Sequence, residues 1–182
     1  MKRTFRAGTG YRVPDDTFVY PLLNSNDIKS GLPVGLLDDF SMAIGEIEAG
    51  SSSRIHVHPI VTQVTMVLDG HLDVRLRDAD AAEPYTVELA RHDAVLVRPG
   101  TFLQLINPSR FPCRTLYVVG PSYVVDIDSN GTVRYDDAIT LDLSWDELAA
   151  MEWQPAQLGR LDELARARRE ALERIRGQEH HV

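Results

Sequence analysis

His56-Val57-His58 is the tripeptide best suited to chemistry, because side chains two apart on a β-strand point to the same face and can converge on one ion. Imidazole nitrogen suits zinc, iron, copper and nickel. His71 and His92 are further candidates as substitute ligands or acid and base groups, although the simpler reading makes them turn or rim residues, and a bulge would be required to recruit Gln104. Strand alternation turns Gln104 away from any site that Leu103 faces.

These groups must be held by strands. From Ser41 to Asp126 the chain consists of short runs rich in Val, Ile, Leu, Thr and Tyr, with turn signals every 8 to 12 residues or so. Strands are predicted over Ser41–Glu48, Ser53–His58, Val61–Leu68, His71–Arg77, Tyr85–Leu89, Ala94–Val97, Phe102–Ile106 and Arg114–Val119. Asp69-Gly70 is a hairpin dipeptide, since glycine accepts a positive φ without a Cβ clash. Eight such runs without helices between them imply a sandwich or barrel. Residues 1–40 read as an arm rich in proline and glycine, with extended pieces around Thr17–Leu23. Residues 41–127 form the barrel and 128–182 a hairpin-like stretch and a helical extension. In that extension Ser144-Trp145-Asp146-Glu147 has the spacing of a capping box. A second helix starts at Pro155, its apolar face formed by Leu158, Leu161, Ala165, Leu172 and Ile175 and interrupted at Arg168.

The stretch Gly50-Ser51-Ser52-Ser53-Arg54-Ile55-His56-Val57-His58-Pro59, with Gln63 and Gly70 after it, resembles the first cupin motif: a glycine, five residues, HxH, a carboxylate and a glycine. Gln63 stands where that family usually has glutamate. The second cupin motif aligns with His92 to Asn107, where Gly100 and Asn107 match, His92 replaces the initial glycine, Arg98 replaces the proline and Leu103 replaces the third histidine. The resemblance implies an all-β fold, a double-stranded β-helix barrel with the N-terminal arm and C-terminal helices added. It implies a site in which His56, His58 and Gln63 hold a divalent transition metal, whether Fe, Zn, Mn, Ni or Cu.

The function expected from this resemblance is a metal-dependent enzyme acting on a small, carboxylate-bearing metabolite, through oxygenase or oxidase chemistry or as a Lewis acid. The alternatives are a metal-free isomerase or cyclase that uses a histidine base, and a non-catalytic ligand-binding protein. Arg54 and Arg98 are candidates to clamp a carboxylate, since a planar guanidinium meets it in two parallel hydrogen bonds. Phe102, Leu103 and Tyr117 are candidates to line the substrate site, against the simpler reading that they fill the barrel interior. No catalytic group is assigned.

The formal charge of -8 and pI near 5.2 argue against a nucleic-acid partner. Cys113 is the only cysteine, so no intrachain disulfide forms, and a reducing cytoplasmic setting is expected. No run of about 18 apolar residues predicts a membrane span. The arm is suited to wrapping a second copy, and a homodimer is expected.

Overall fold

The computed structural model describes residues 6–24, 40–81, 83–151 and 161–177. The predicted helix start at Pro155, the position Leu158, and His180 and His181 lie outside the described residues. Thirteen strands and two helices follow in chain order: β1 Tyr11–Arg12, β2 Phe18–Asn24, β3 Ser41–Ile47, β4 Ile55–Val57, β5 Thr62–Asp69, β6 Leu72–Arg77, β7 Tyr85–Leu89, β8 Ala94–Val97, β9 Phe102–Ile106, β10 Cys113–Gly120, β11 Val125–Ile127, β12 Val133–Asp136, β13 Ile139–Leu141, α1 Trp145–Ala150 and α2 Leu161–Gly177. All eight strands predicted between Ser41 and Val119 are present, with ends shifted by a residue or two.

Two antiparallel sheets carry the architecture, in the orders β1-β2-β3-β10-β5-β8 and β13-β4-β9-β6-β7. Neither sheet is confined to the central segment. The arm adds β1 and β2 to one edge, through pairs such as Tyr20 with Ile44, and β13 closes the other sheet beside β4 by pairing Thr140 with His56. The core lies between the sheets. In β5, Gln63, Thr65 and Val67 are buried while their neighbours are less so, and β10 alternates in the same way through Thr115, Tyr117 and Val119. The facing sheet contributes Leu72, Val74, Leu76, Leu103 and Leu105, so the aliphatic side chains of both sheets meet.

The outward face of β4 and β9 is apolar as well, and needs its own cover. Ile55, Val57 and Phe102 pack against Trp145 and Leu148 of α1. The predicted capping box starts that helix: Ser144 accepts from the Glu147 amide, and the Glu147 carboxylate accepts from the Ser144 amide at 2.7 Å. Gln104 also belongs to this outer face, where its Oε1 accepts from Trp145 Nε1 at 2.7 Å. The alternation expected for Leu103 and Gln104 is therefore realised.

Helix α2 lies on the β11–β12 hairpin, with Ala171 and Leu172 packed against Val124 and Tyr135. The interruption of its apolar stripe at Arg168 has a physical reason. Arg168 Nε donates to both oxygens of Asp137, at 3.1 and 3.3 Å, and Asp137 is completely buried. The charged residue on the packing face is matched by a charged residue beneath it.

Candidate functional site

His56 lies in β4 and His58 two residues further, and the pleat brings both to the inner face, where each is buried and lines a cavity of about 950 Å³. Their ring centroids are 5.2 Å apart with the planes nearly perpendicular. His56 Nδ1 lies 3.0 Å from the Arg54 carbonyl and His58 Nδ1 lies 3.3 Å from the Asp137 carbonyl. A carbonyl only accepts, so each Nδ1 carries a proton, which leaves the His58 Nε2 lone pair for the cavity while His56 Nε2 faces Asp15. His58 Nε2 is buried and has no hydrogen-bond partner.

Burial, reinforced by the nearby charge of His56, pushes the pKa of His58 down to about 3, so its imidazole is neutral at ordinary pH. Gln63 enters from the opposite sheet on β5. Its amide nitrogen donates to Thr65 Oγ1 at 3.1 Å, which leaves the carbonyl oxygen as the group an ion could use. Tyr123 stands against His58, with ring centroids 5.9 Å apart, and its hydroxyl donates to Asp136. Burial, and then the Asp136 carboxylate, hold that phenol well above the ordinary tyrosine range.

Asp15 is the site residue that sequence reasoning missed. Its Oδ2 lies 3.6 Å from His56 Nε2, while its Oδ1 accepts from the Thr17 amide and hydroxyl at 3.0 and 2.8 Å. The arm turn that carries it is closed by Val13 and Thr17 and is tied to the barrel where the Arg54 amide donates to the Asp15 carbonyl at 2.7 Å. A carboxylate and an imidazole lone pair at that distance repel unless a positive charge is shared between them. A proton on His56 or a metal ion supplies it. The arm is legible as a segment rich in proline and glycine, but nothing local ties Asp15 to the histidines about forty residues away.

The structure brings His56, His58, Gln63 and Tyr117 to the cavity wall. The other substrate-site candidates lie elsewhere. Arg54 pairs with Asp142 at 2.8 Å, and Arg98 is exposed at a turn; neither is among the residues that line the cavity. Phe102 is fully buried under α1, on the outer face. Leu103 is directly opposite His56 in the β4–β9 register but is fully buried in the core. Its isobutyl group thus occupies the place from which a third imidazole would have reached the pair.

His71 pairs with Asp73 at 3.1 Å and, like His92, is not part of the cavity wall. His92 takes φ 76°, the left-handed conformation that favours glycine, which accounts for the glycine at the aligned position of the motif. Gly100 has φ 82° and its amide donates to the His58 carbonyl at 2.9 Å, linking the second motif to the end of β4. Asn107 is fully buried and knots its loop: Nδ2 donates to the Ile47, Glu48 and Phe111 carbonyls, and Oδ1 accepts from Ser109.

No protein-family model matches the sequence, and no curated protein matches it. Solved structures do resemble it. Capsular polysaccharide assembling protein CapF from Staphylococcus aureus is 14% identical, over 78% of this chain and 33% of that one, with a TM-score of 0.53. Lactobacillus farciminis oxalate decarboxylase, in a formate complex, is 18% identical over 84% of this chain and 37% of that one, also with a TM-score of 0.53. The Drosophila melanogaster CENP-C cupin domain is 10% identical, over 61% of this chain and 69% of that one, with a TM-score of 0.49. This chain spans about a third of the first two proteins. Identities this low carry the architecture and not the chemistry, and the architecture they share with this chain is the cupin fold, a double-stranded β-helix.

Proposed function

We propose that the chain is a metal-dependent cupin enzyme acting on a small molecule that enters the cavity, with His56, His58 and Gln63 holding a divalent transition metal. The observation that carries this reading is His58: a buried imidazole, neutral, proton on Nδ1, with Nε2 left unpaired at the cavity. A buried acceptor without a partner is costly, and a ligand to Nε2 removes that cost. Among the described residues no three His, Cys, Asp or Glu side chains are gathered to hold an ion. The holders are therefore two imidazoles and a neutral amide oxygen, a sparse set that leaves positions open for substrate.

A bound ion would supply Lewis-acid or oxygen-activating chemistry. The protein's own residues orient and enclose. The Arg54 and Asp137 carbonyls fix the two tautomers, the outer role that carbonyls and carboxylates play around histidine ligands generally. The Tyr123 ring shields His58 on one side. Zinc or cobalt titration of chelator-treated protein tests the reading, with one ion bound per chain as the expected result. His56→Ala and His58→Ala must each abolish that binding, and unchanged stoichiometry in either variant overturns it.

The Asp15–His56 pair favours a second reading, in which His56 works as a base without metal and Asp15 balances its charge. Turnover that survives chelation but is lost in both His56→Ala and Asp15→Asn would select it over the first.

A further inference from the structure

The charge of the cavity wall says what kind of molecule enters. Among the described residues that line it there is no arginine and no lysine. The guanidinium groups of Arg54, Arg168 and Arg174 are committed elsewhere, to Asp142, Asp137 and Asp126. Two carboxylates do line the space. Asp126 is matched by Arg174 at 2.7 Å, and Asp15 faces His56. His58 offers an unpartnered ring nitrogen, and Gln63 offers an amide. Thr17, Asn24 and Ser41 add uncharged polar groups, and most of the remaining wall is apolar, through Val19, Leu23, Met42, Val119, Val125 and Ile175 among others. At about 950 Å³ the space is near the upper end of small-molecule sites, roughly 300–1,000 Å³.

In the absence of an ion, a carboxylate, sulfonate or phosphate carried into this space would give up its hydration and meet neutral or negative side chains in exchange, with no guanidinium to compensate. A hydrocarbon body would displace water from apolar wall at no such cost. Hydroxyl and carbonyl groups on that body would find partners at the polar floor, in the Gln63 amide and the His58 imidazole. We propose that the cavity takes an uncharged, largely apolar molecule bearing hydroxyl or carbonyl groups, rather than an anionic metabolite. This names the substrate class of the site proposed above and rests on that cavity being the site, but it does not require the ion.

Two probes with the same ring skeleton separate the possibilities: uncharged N-phenyl-1-naphthylamine, and 8-anilinonaphthalene-1-sulfonate, which adds one negative charge. Fluorescence titration of the full chain in chelator is expected to give a Kd at least tenfold lower for the uncharged probe, at one site per chain. Val119→Trp and Ala43→Phe fill the cavity from different strands, and each should weaken the uncharged probe at least tenfold while leaving cooperative melting intact. The proposal is overturned if the sulfonate binds equally or more tightly. It is also overturned if both variants melt cooperatively and bind the uncharged probe as before. Zinc titration of the same samples keeps the two readings apart. Absent zinc binding with the neutral preference intact removes the metal and keeps the substrate class; zinc binding with the sulfonate preferred does the reverse.

Discussion

Replacing Arg168 by alanine should destabilise the protein by about 3–5 kcal/mol, the usual cost of removing one partner of a buried ion pair. The geometry places this pair in that class. Asp137 is fully buried, and the Arg168 side chain is only 13% exposed, so solvent screens little of the interaction. After the substitution the Asp137 carboxylate keeps the Val124 amide at 2.7 Å and the Tyr135 hydroxyl at 2.7 Å, but has no countercharge. Burial already holds this carboxyl above its ordinary range despite Arg168. With about 2–4 °C per kcal/mol for a chain of this size, Tm should fall by roughly 6–20 °C. Adding Asp137→Asn to the variant removes the stranded charge, and an asparagine can still accept from the Val124 amide and donate to the Tyr135 oxygen. The double variant should therefore recover about 1–2 kcal/mol over Arg168→Ala alone. Urea unfolding followed by circular dichroism completes the cycle. A loss below about 1 kcal/mol in the single variant, or no recovery in the double, would refute the account of why an arginine interrupts the apolar stripe of α2.

Other outcomes follow from the same geometry. A Cβ at position 45 would overlap the Tyr117 ring and the Thr115 hydroxyl across the β3–β10 pair, so Gly45→Ala should cost about 1–3 kcal/mol by overpacking and push the ring into the cavity; urea midpoints and probe affinity report the two effects. Asn107→Ala should cost about 1–3 kcal/mol for the buried Ile47 carbonyl left unpaired, while zinc stoichiometry stays that of the wild type. The metal-free protein should lose stability in acid. His58 is held near 3 when folded and returns to about 6.5 when unfolded. Above pH 6.5 both states are neutral at this residue and stability is complete; as pH falls from 6.5 toward 3 the unfolded chain takes a proton that the folded one refuses. The slope from this residue is at most about 1.4 kcal/mol per pH unit, and urea midpoints in chelator should show a shallower decline in His58→Gln.

Much of the fold was legible because it is encoded between near neighbours. Alternation through Gln63, Thr65 and Val67, the Asp69-Gly70 turn and the capping box at Ser144 each depend on residues within a few positions of one another. The same locality put His56 and His58 on one face, since a strand's period of two requires it. Arg54, at the same parity, shows where that reasoning stops. It precedes the start of β4, and its guanidinium finds Asp142, eighty-eight residues on, before it finds the cavity.

The sequence by itself determined the eight central strands, the histidine pair and the loss of a third imidazole at Leu103. Only the tertiary structure decided what surrounds the pair. It brought Asp15 of the arm to His56, set the Asp137 carbonyl behind His58, covered Phe102 with α1 and kept basic groups off the described cavity wall. These juxtapositions join segments up to eighty residues apart, and they are fixed by sheet order and by the burial of whole faces. No periodicity within a single segment carries that information, which is why the histidine pair could be read before folding and the character of its pocket could not.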